Sequence, residues 1–350
     1  MIRWQLDQRS WRVWMKVCVV GAGAIGGYMG VQIAAQGHEV SLIARGPHLS
    51  AIKANGLTLR KDGQETNVRN VFATSDMTEC GPQDIVLLAL KAHQIVPVMD
   101  DLKTLFGPDT VMVALQNGIP WWYFQGNGGD YENRIVETVD PGGSLAKGID
   151  PKRIIGCIAY PAASISEPGV IQHVEGDKFP VGELDGSESE RLQAVSKLFE
   201  DCGFKSRILT DIRSEIWLKL WGNLTFNPIS SLTHSTLVDI CQDPLTRELA
   251  TTMMTEAQRI AEKLGASFRV TIERRINGAE SVGKHKTSML QDVEAGKPLE
   301  IDGMLGVVIE LGEMTDVETP SLKALYACVS LLNKKIQEDS VYIKERPLGE

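Results

Sequence analysis

The sequence predicts an α/β Rossmann-type N-terminal domain followed by an all-helical C-terminal domain. Three observations carry that expectation. A short apolar run, Val17 to Val20, leads straight into a glycine-rich turn, and a second strand follows a small, apolar helix. Further apolar runs bounded by turn residues recur up to about residue 210, as buried strands of a parallel sheet do. From residue 211 the apolar residues recur every three or four positions instead, which is the helical period. The expected boundaries are an N-terminal extension over 1–14, a dinucleotide-binding domain over 15–210 and a helical substrate and catalytic domain over 211–340.

The elements follow in order. Residues 1–14, MIRWQLDQRSWRVW, carry Trp and Arg but no apolar segment of the secretory type, so they read as an extension, with Met15 a possible start. Val17 to Val20 is the first strand. Gly21-Ala22-Gly23-Ala24-Ile25-Gly26 has the G-x-G-x-x-G spacing between that strand and a helix over Gly27 to Gln36, which Gly37 stops. Gly21 permits the tight turn, Gly23 lets backbone approach a pyrophosphate, and Gly26 lets helix and strand pack closely. The helix start, with Ala24 and Ile25, offers unpaired N–H groups and a positive dipole end.

The second strand, Val40 to Ala44, decides the dinucleotide. An NAD site carries an acid there for the ribose hydroxyls, but this chain reads Ala44-Arg45-Gly46. Arg45 can form a fork to a 2′-phosphate, so NADP(H) is expected over NAD(H). The plainer alternative is a solvated surface charge.

A helix over Pro47 to Asn55 and a hairpin around Lys61-Asp62-Gly63 come next. The strands Ile85 to Leu90 and Val111 to Leu115 end at Lys91 and at Gln116-Asn117-Gly118. Ligands of an open parallel sheet sit beyond the carboxyl ends of its strands, so Lys91 and Asn117 are expected to face the cofactor. A solvated lysine and an ordinary Asn-Gly turn are the alternatives. Trp121-Trp122-Tyr123-Phe124 could line a substrate mouth, cover a sheet edge or pack against a partner subunit. A strand over Val181 to Glu183, a helix over Ser189 to Cys202 and a last strand over Lys205 to Leu209 complete the domain.

Composition excludes several classes. The 350 residues are 43% hydrophobic, enough for two cores, and the net charge of −9 argues against a non-specific nucleic-acid binder. No apolar run is long enough to span a membrane. The 6 cysteines and 6 histidines are scattered without metal-ligand spacing, which suggests reduced thiols in a cytoplasm and no metal site.

In the second half, helices are expected over 212–224, 244–264, 304–313 and 321–336. Lys219, Asn223 and Asn227 stand at i, i+4 and i+8 among Trp, Leu and Phe, which puts an ammonium and two amides on one helix face. Pro228 is expected to kink or end that helix at Asn227. Lys219 has the chemistry of a general acid for the alkoxide left when hydride reaches a carbonyl. The alternatives are a solvent-facing stripe or amides bridging helices. Ser288 with Gln291 reads as a capping box, and Pro298 with Glu300 as a helix start; both are compatible with holding a carboxylate.

The motifs GAGAIGG, LIARG, LALKAHQ, ALQNGI, WLKLWGNLTFNP and SMLQDVEAGKPLEID, in that order, resemble the ketopantoate reductase (2-dehydropantoate 2-reductase) family over roughly residues 16–337. The resemblance implies NADPH-dependent reduction of 2-dehydropantoate to pantoate, in pantothenate and coenzyme A biosynthesis. It implies a helical domain like that at the C terminus of 6-phosphogluconate dehydrogenase. It assigns catalysis to Lys219, substrate binding to Asn223, Asn227, Ser288 and Glu300, and cofactor binding to Gly21, Gly23, Ala24, Ile25, Gly26, Arg45, Lys91 and Asn117. The segment 119–152 departs from the family, whose members usually have a shorter one without the WWYF run. That departure bears on which 2-oxo acid is the substrate. A reductase of another 2-oxo acid, and a non-catalytic NADP-binding sensor, are the competing readings. A cytoplasmic protein is expected, and a homodimer if the apolar insertion is exposed.

Overall fold

The structure is a computed structural model and describes residues 14–345. Of the expected extension only Trp14 falls among them. The chain divides into two compact units. One comprises residues up to Asn117 with Trp121–Ile135 and Gly142–Ile212; the other comprises Gly118–Pro120, Val136–Pro141 and residues from Arg213 onward.

The first unit runs β1 (Lys16–Val20), α1 (Ala24–Ala35), β2 (Glu39–Ile43), α2 (Gly46–Asn55), β3 (Leu57–Lys61), β4 (Gln64–Val68), β5 (Val71–Thr74) and β6 (Gln83–Leu88). It continues with α3 (Met99–Lys103), β7 (Phe106–Ala114), α4 (Ser144–Gly148), β8 (Ile154–Cys157), β9 (Ala162–Glu167), β10 (Val170–Glu175), β11 (Val181–Glu183) and α5 (Glu190–Asp201). Seven strands form one sheet in the order β11-β8-β7-β6-β1-β2-β5. Every pairing in it is parallel except β11 with β8. Val17 to Val20 are fully buried, which is why that stretch is continuously apolar rather than alternating. The chain builds outward from β1 in both directions, to β2 on one side and β6 on the other. That reversal is the topological switch point, where an open sheet of this kind binds ligands.

Helix α1 is apolar on every side because it is covered on two. A Cβ on Gly30 would stand 2.8 Å from Leu42 of the large sheet, and one on Gly27 2.7 Å from Ile171. Ile171 belongs to a second, four-stranded sheet, β4-β3-β10-β9. A helix enclosed in this way has no polar face to offer water. The β3–β4 turn places Asp62 at φ 51° and Gly63 at φ 75°, the left-handed pair that a two-residue hairpin requires.

Two stretches depart from expectation. Lys205–Leu209 runs beside residues 177–181 through backbone hydrogen bonds but forms isolated bridges rather than a strand, Lys178 with Lys205 and Val181 with Ile208, because most of its partners lie in the irregular stretch before β11. The aromatic run is core rather than surface. Trp121, Trp122, Tyr123 and Phe124 are each at most 3% exposed. The Trp122 ring lies where a Cβ on Gly156 of β8 would come within 2.8 Å of it. The run that suggested self-association is thus buried within the first unit itself.

The second unit contains α6 (Ile212–Thr233), α7 (Leu237–Gln242), α8 (Pro244–Lys263), α9 (Ile272–Glu280), α10 (Ser288–Glu294), α11 (Val307–Met314) and α12 (Pro320–Asp339). Helix α6 does not stop at Asn227 but continues through Pro228 to Thr233. A proline inside a helix costs about 3 kcal/mol. Phe226 and Ile229 flank it at 2% exposure, and burying two such side chains returns about 1.5–3 kcal/mol each. Helix α12 is capped from a distance. The buried Glu256 carboxylate of α8 accepts the Ser321 N–H at 3.0 Å and the Leu322 N–H at 3.1 Å, donors that the first turn of α12 cannot satisfy itself. Among the described residues no helix is long and apolar enough to cross a membrane, and no cluster of three His, Cys, Asp or Glu could hold a metal ion.

Candidate active site

In the first unit, the candidate cofactor residues lie at the carboxyl ends of β1, β6 and β7. Val20 pairs with Leu88, and Leu88 with Ala114, so Gly21, Lys91 and Asn117 follow within three residues of neighbouring strand ends. The backbone makes different demands on the three glycines. Gly21 has φ 99° and packs on residues 89–90, where a Cβ would come within 2.9 Å of Leu90. A Cβ on Gly26 would stand 2.2 Å from the Gly21 carbonyl oxygen. Gly23 differs: its φ of −75° suits any residue, and nothing lies within 4 Å of where its Cβ would be. No packing inside the chain requires glycine there. A diphosphate approaching the backbone would require it.

Helix α1 begins at Ala24 and has no acidic residue in its first turn, so its positive end is not neutralised from within. Arg45 is exposed at the end of β2 and serves as the N-cap residue of α2. Lys91 and Asn117 are half-buried. These residues fit an NADP-type dinucleotide: a glycine turn for the diphosphate, a helix start behind it, and a guanidinium where a 2′-phosphate would be met.

Sequence reasoning missed His48, in the first turn of α2. Its Nδ1 lies 3.0 Å from the Gly169 N–H and its Nε2 2.9 Å from the Ala22 carbonyl. A backbone N–H can only donate, so Nδ1 accepts and Nε2 carries the hydrogen. Burial lowers the pKa of the ring, against the bond to Ala22, which raises it.

In the second unit, the candidate substrate residues lie on α6. Lys219 and Asn223 are half-buried and Asn227 is 5% exposed. The expected stripe therefore runs from a partly open end to a closed one. Asn227 donates through Nδ2 to the Met304 sulfur at 3.6 Å, which joins α6 to the segment that follows Glu300. That segment is not the helix start that Pro298 suggested. Residues 297–301 are irregular, and a π turn covers Asp302–Gly306. The Ile301 carbonyl lies 2.8–3.3 Å from the N–H groups of Met304, Leu305 and Gly306. Such widened turns recur at functional sites. Glu300, half-buried, precedes it directly.

Two side chains of α12 hold this segment, and sequence reasoning missed both. Asn333 accepts the Leu299 N–H at 3.0 Å, and the Tyr326 hydroxyl donates to Asp302 at 2.7 Å. Burial, then the Asp302 carboxylate, pushes the Tyr326 pKa up. They stand at i and i+7, two turns apart on one face, and bracket Glu300. The strap Gly118–Pro120 meets the same turn: Ile119 N–H donates to the Gly303 carbonyl at 3.1 Å.

Ser288 is not the cap of α10. Thr287 is: its hydroxyl accepts the Leu290 N–H, and Ser288 is the exposed first residue of the helix. The expected capping box fails by one position, and Gln291 donates instead to the Lys286 carbonyl. Thr287→Ala is therefore expected to lower stability by about 1 kcal/mol, whereas Ser288→Ala leaves the melting temperature unchanged. A thermal melt of the two variants separates them; equal losses would return the cap to Ser288.

Comparison with known proteins agrees with this geometry. The family model for ketopantoate reductase PanE/ApbA matches residues 17–186, and that for its C-terminal domain matches residues 211–333. A 2-dehydropantoate 2-reductase of Mesorhizobium japonicum is 50% identical over 91% of this chain and 98% of its own. One from Pyrococcus horikoshii is 29% identical over 90% of this chain and 96% of its own. The crystal structure of a PanE/ApbA family ketopantoate reductase from Ralstonia eutropha superposes with a TM-score of 0.79 at 26% identity, covering 92% of this chain and all of that one. The parallel sheet with its glycine turn, the helical second unit and these matches, which span both, have one reading: the chain belongs to the ketopantoate reductase family.

Proposed function

We propose that the chain reduces 2-dehydropantoate to pantoate with NADPH, in pantothenate and coenzyme A biosynthesis in the cytoplasm. The observation that carries the reading is the Lys219, Asn223, Asn227 stripe, joined by Asn227 and Met304 to the segment bearing Glu300. An ammonium and two amides on one face of α6 offer donors that suit the oxygens of a small, polar 2-oxo acid. When bound, NADPH supplies the hydride. Lys219 holds the 2-oxo oxygen and gives it a proton as negative charge develops there. Asn223 and Asn227 orient the substrate by hydrogen bonds, Glu300 accepts from its hydroxyl, and Ser288 donates to its carboxylate. Gly21, Gly23, Ala24, Ile25 and Gly26 present backbone N–H groups to the diphosphate. Lys91 and Asn117 hold the cofactor beyond the strand ends, and Arg45 pairs with its 2′-phosphate. The six free cysteines suit a reducing compartment.

The test is NADPH oxidation by the purified chain with ketopantoate, pyruvate and 2-oxoisovalerate. Ketopantoate is expected to give the highest kcat/KM. A preference for another acid reassigns the substrate, and tight NADPH binding without turnover on any of them makes the chain a sensor. Arg45→Ala is expected to weaken NADPH by about ten- to a hundredfold, in line with a lost charge-assisted contact of ~1.5–3 kcal/mol. NADH should be nearly unaffected, and an equal loss for both cofactors would remove Arg45 from the 2′-phosphate.

A further inference from the structure

We infer that His48 is a positioning residue for the cofactor: its neutral imidazole aims the glycine turn. The inference rests on the proposed NADPH site and adds a residue that nothing in the motif assigns.

The peptide joining Ala22 to Gly23 is planar and trans, so its C=O and its N–H point in opposite directions. Whatever fixes the Ala22 carbonyl therefore fixes the direction of the Gly23 N–H. Two bonds hold Ala22. Its N–H donates to the Ile43 carbonyl at the end of β2, at 2.8 Å. Its carbonyl accepts from His48 Nε2 at 2.9 Å. The first joins backbone to backbone and survives any side-chain change. The second is the only one of the two that a side chain makes.

His48 is itself held. Its Nδ1 accepts from Gly169, in the turn between β9 and β10, and the Gly169 carbonyl accepts from Thr58 of β3 at 2.9 Å. The second sheet thus sets the tilt and tautomer of the ring, and the ring sets the turn. His48 also lies in the first turn of the helix whose N-cap residue is Arg45. One short stretch of backbone therefore fixes both the donor offered to the diphosphate and the guanidinium offered to the 2′-phosphate. Fixing donors before a ligand arrives improves affinity by removing the cost of ordering them.

Two variants divide the roles of the ring. A glutamine places its amide nitrogen as many bonds from Cα as His48 Nε2, so His48→Gln keeps the bond to Ala22. An asparagine places its amide oxygen as many bonds out as Nδ1, so His48→Asn keeps the bond to Gly169 and leaves Ala22 unheld. The experiment is fluorescence titration of NADPH into the full chain, with thermal melts and with kcat at saturating NADPH. His48→Asn is expected to weaken NADPH by roughly three- to tenfold, the usual size of one neutral hydrogen bond, with kcat retained. His48→Gln should bind within about twofold of wild type. If both variants bind NADPH as wild type does, even with lowered melting points, the role of His48 is only structural and the inference falls. Equal weakening in both also overturns it. Should His48→Asn fail to fold, His48→Gln still decides: weakened binding in that folded variant overturns the inference. A wild-type chain that binds no NADPH overturns the proposed function as well.

Discussion

Lys219→Ala is expected to lower kcat by about 100-fold or more, the combined scale of general-acid and oxyanion contributions, while NADPH still binds. The charge on the substrate oxygen is greatest in the transition state. A group that meets that charge therefore shows its loss in kcat more than in KM. A hundredfold corresponds to about 2.7 kcal/mol of transition-state stabilisation. Lys219→Arg should restore little, because a guanidinium is a poor proton donor and is larger than an ammonium. The glycine turn belongs to the first compact unit and Lys219 to the second, so titration of the variant with NADPH should give a wild-type dissociation constant. A folded, NADPH-binding Lys219→Ala chain with wild-type kcat would make Lys219 a structural charge.

The glycines of the turn should fail in different ways. Gly26→Ala places a methyl 2.2 Å from the Gly21 carbonyl oxygen, which is backbone and cannot swing aside. A loss of about 3 kcal/mol or more in folding stability is expected, at the upper end of overpacking costs. Gly23→Ala places its methyl in open space at an ordinary φ, so the melting temperature should not fall. NADPH affinity should drop by about tenfold or more, ~1.4 kcal/mol, because the methyl would stand where the proposed site receives the diphosphate. Denaturant unfolding and NADPH titration of both variants read the contrast. A Gly23→Ala chain that binds NADPH normally would place the diphosphate elsewhere.

The features written in local sequence were legible. The strand-turn-helix at residues 17–36 and the strand ends before Lys91 and Asn117 follow from continuous apolar runs bounded by turn residues, and the single face shared by Lys219, Asn223 and Asn227 follows from the helical repeat of 3.6 residues. What was not legible depends on contacts distant in sequence. Burial of Phe226 and Ile229 carries α6 through Pro228, which local propensity alone would stop. Thr287 and Ser288 are adjacent hydroxyls, and only the register of α10 decides which one caps it. The irregular stretch at 297–301 replaces a helix start because Asn333 takes the Leu299 N–H from 34 positions away. His48 gave no signal at all. Its partners, 26 and 121 residues distant in sequence, lie in turns that follow strands of two different sheets.

The distant capping of α12 also bears on when the chain becomes an enzyme during its synthesis. Domains fold in the order in which they emerge, N-terminal first. The glycine turn is complete long before Glu256 is translated. Glu256 then has no partner until Ser321 and Leu322 follow it, and the Glu300 segment is not held until Tyr326 and Asn333 have emerged. Cofactor binding should therefore precede catalytic competence on the ribosome. A chain stopped at Thr319 is expected to bind NADPH, to melt in its helical half at a lower temperature, and to turn over no ketopantoate. Full activity in that truncated chain would show that α12 does not hold the site together.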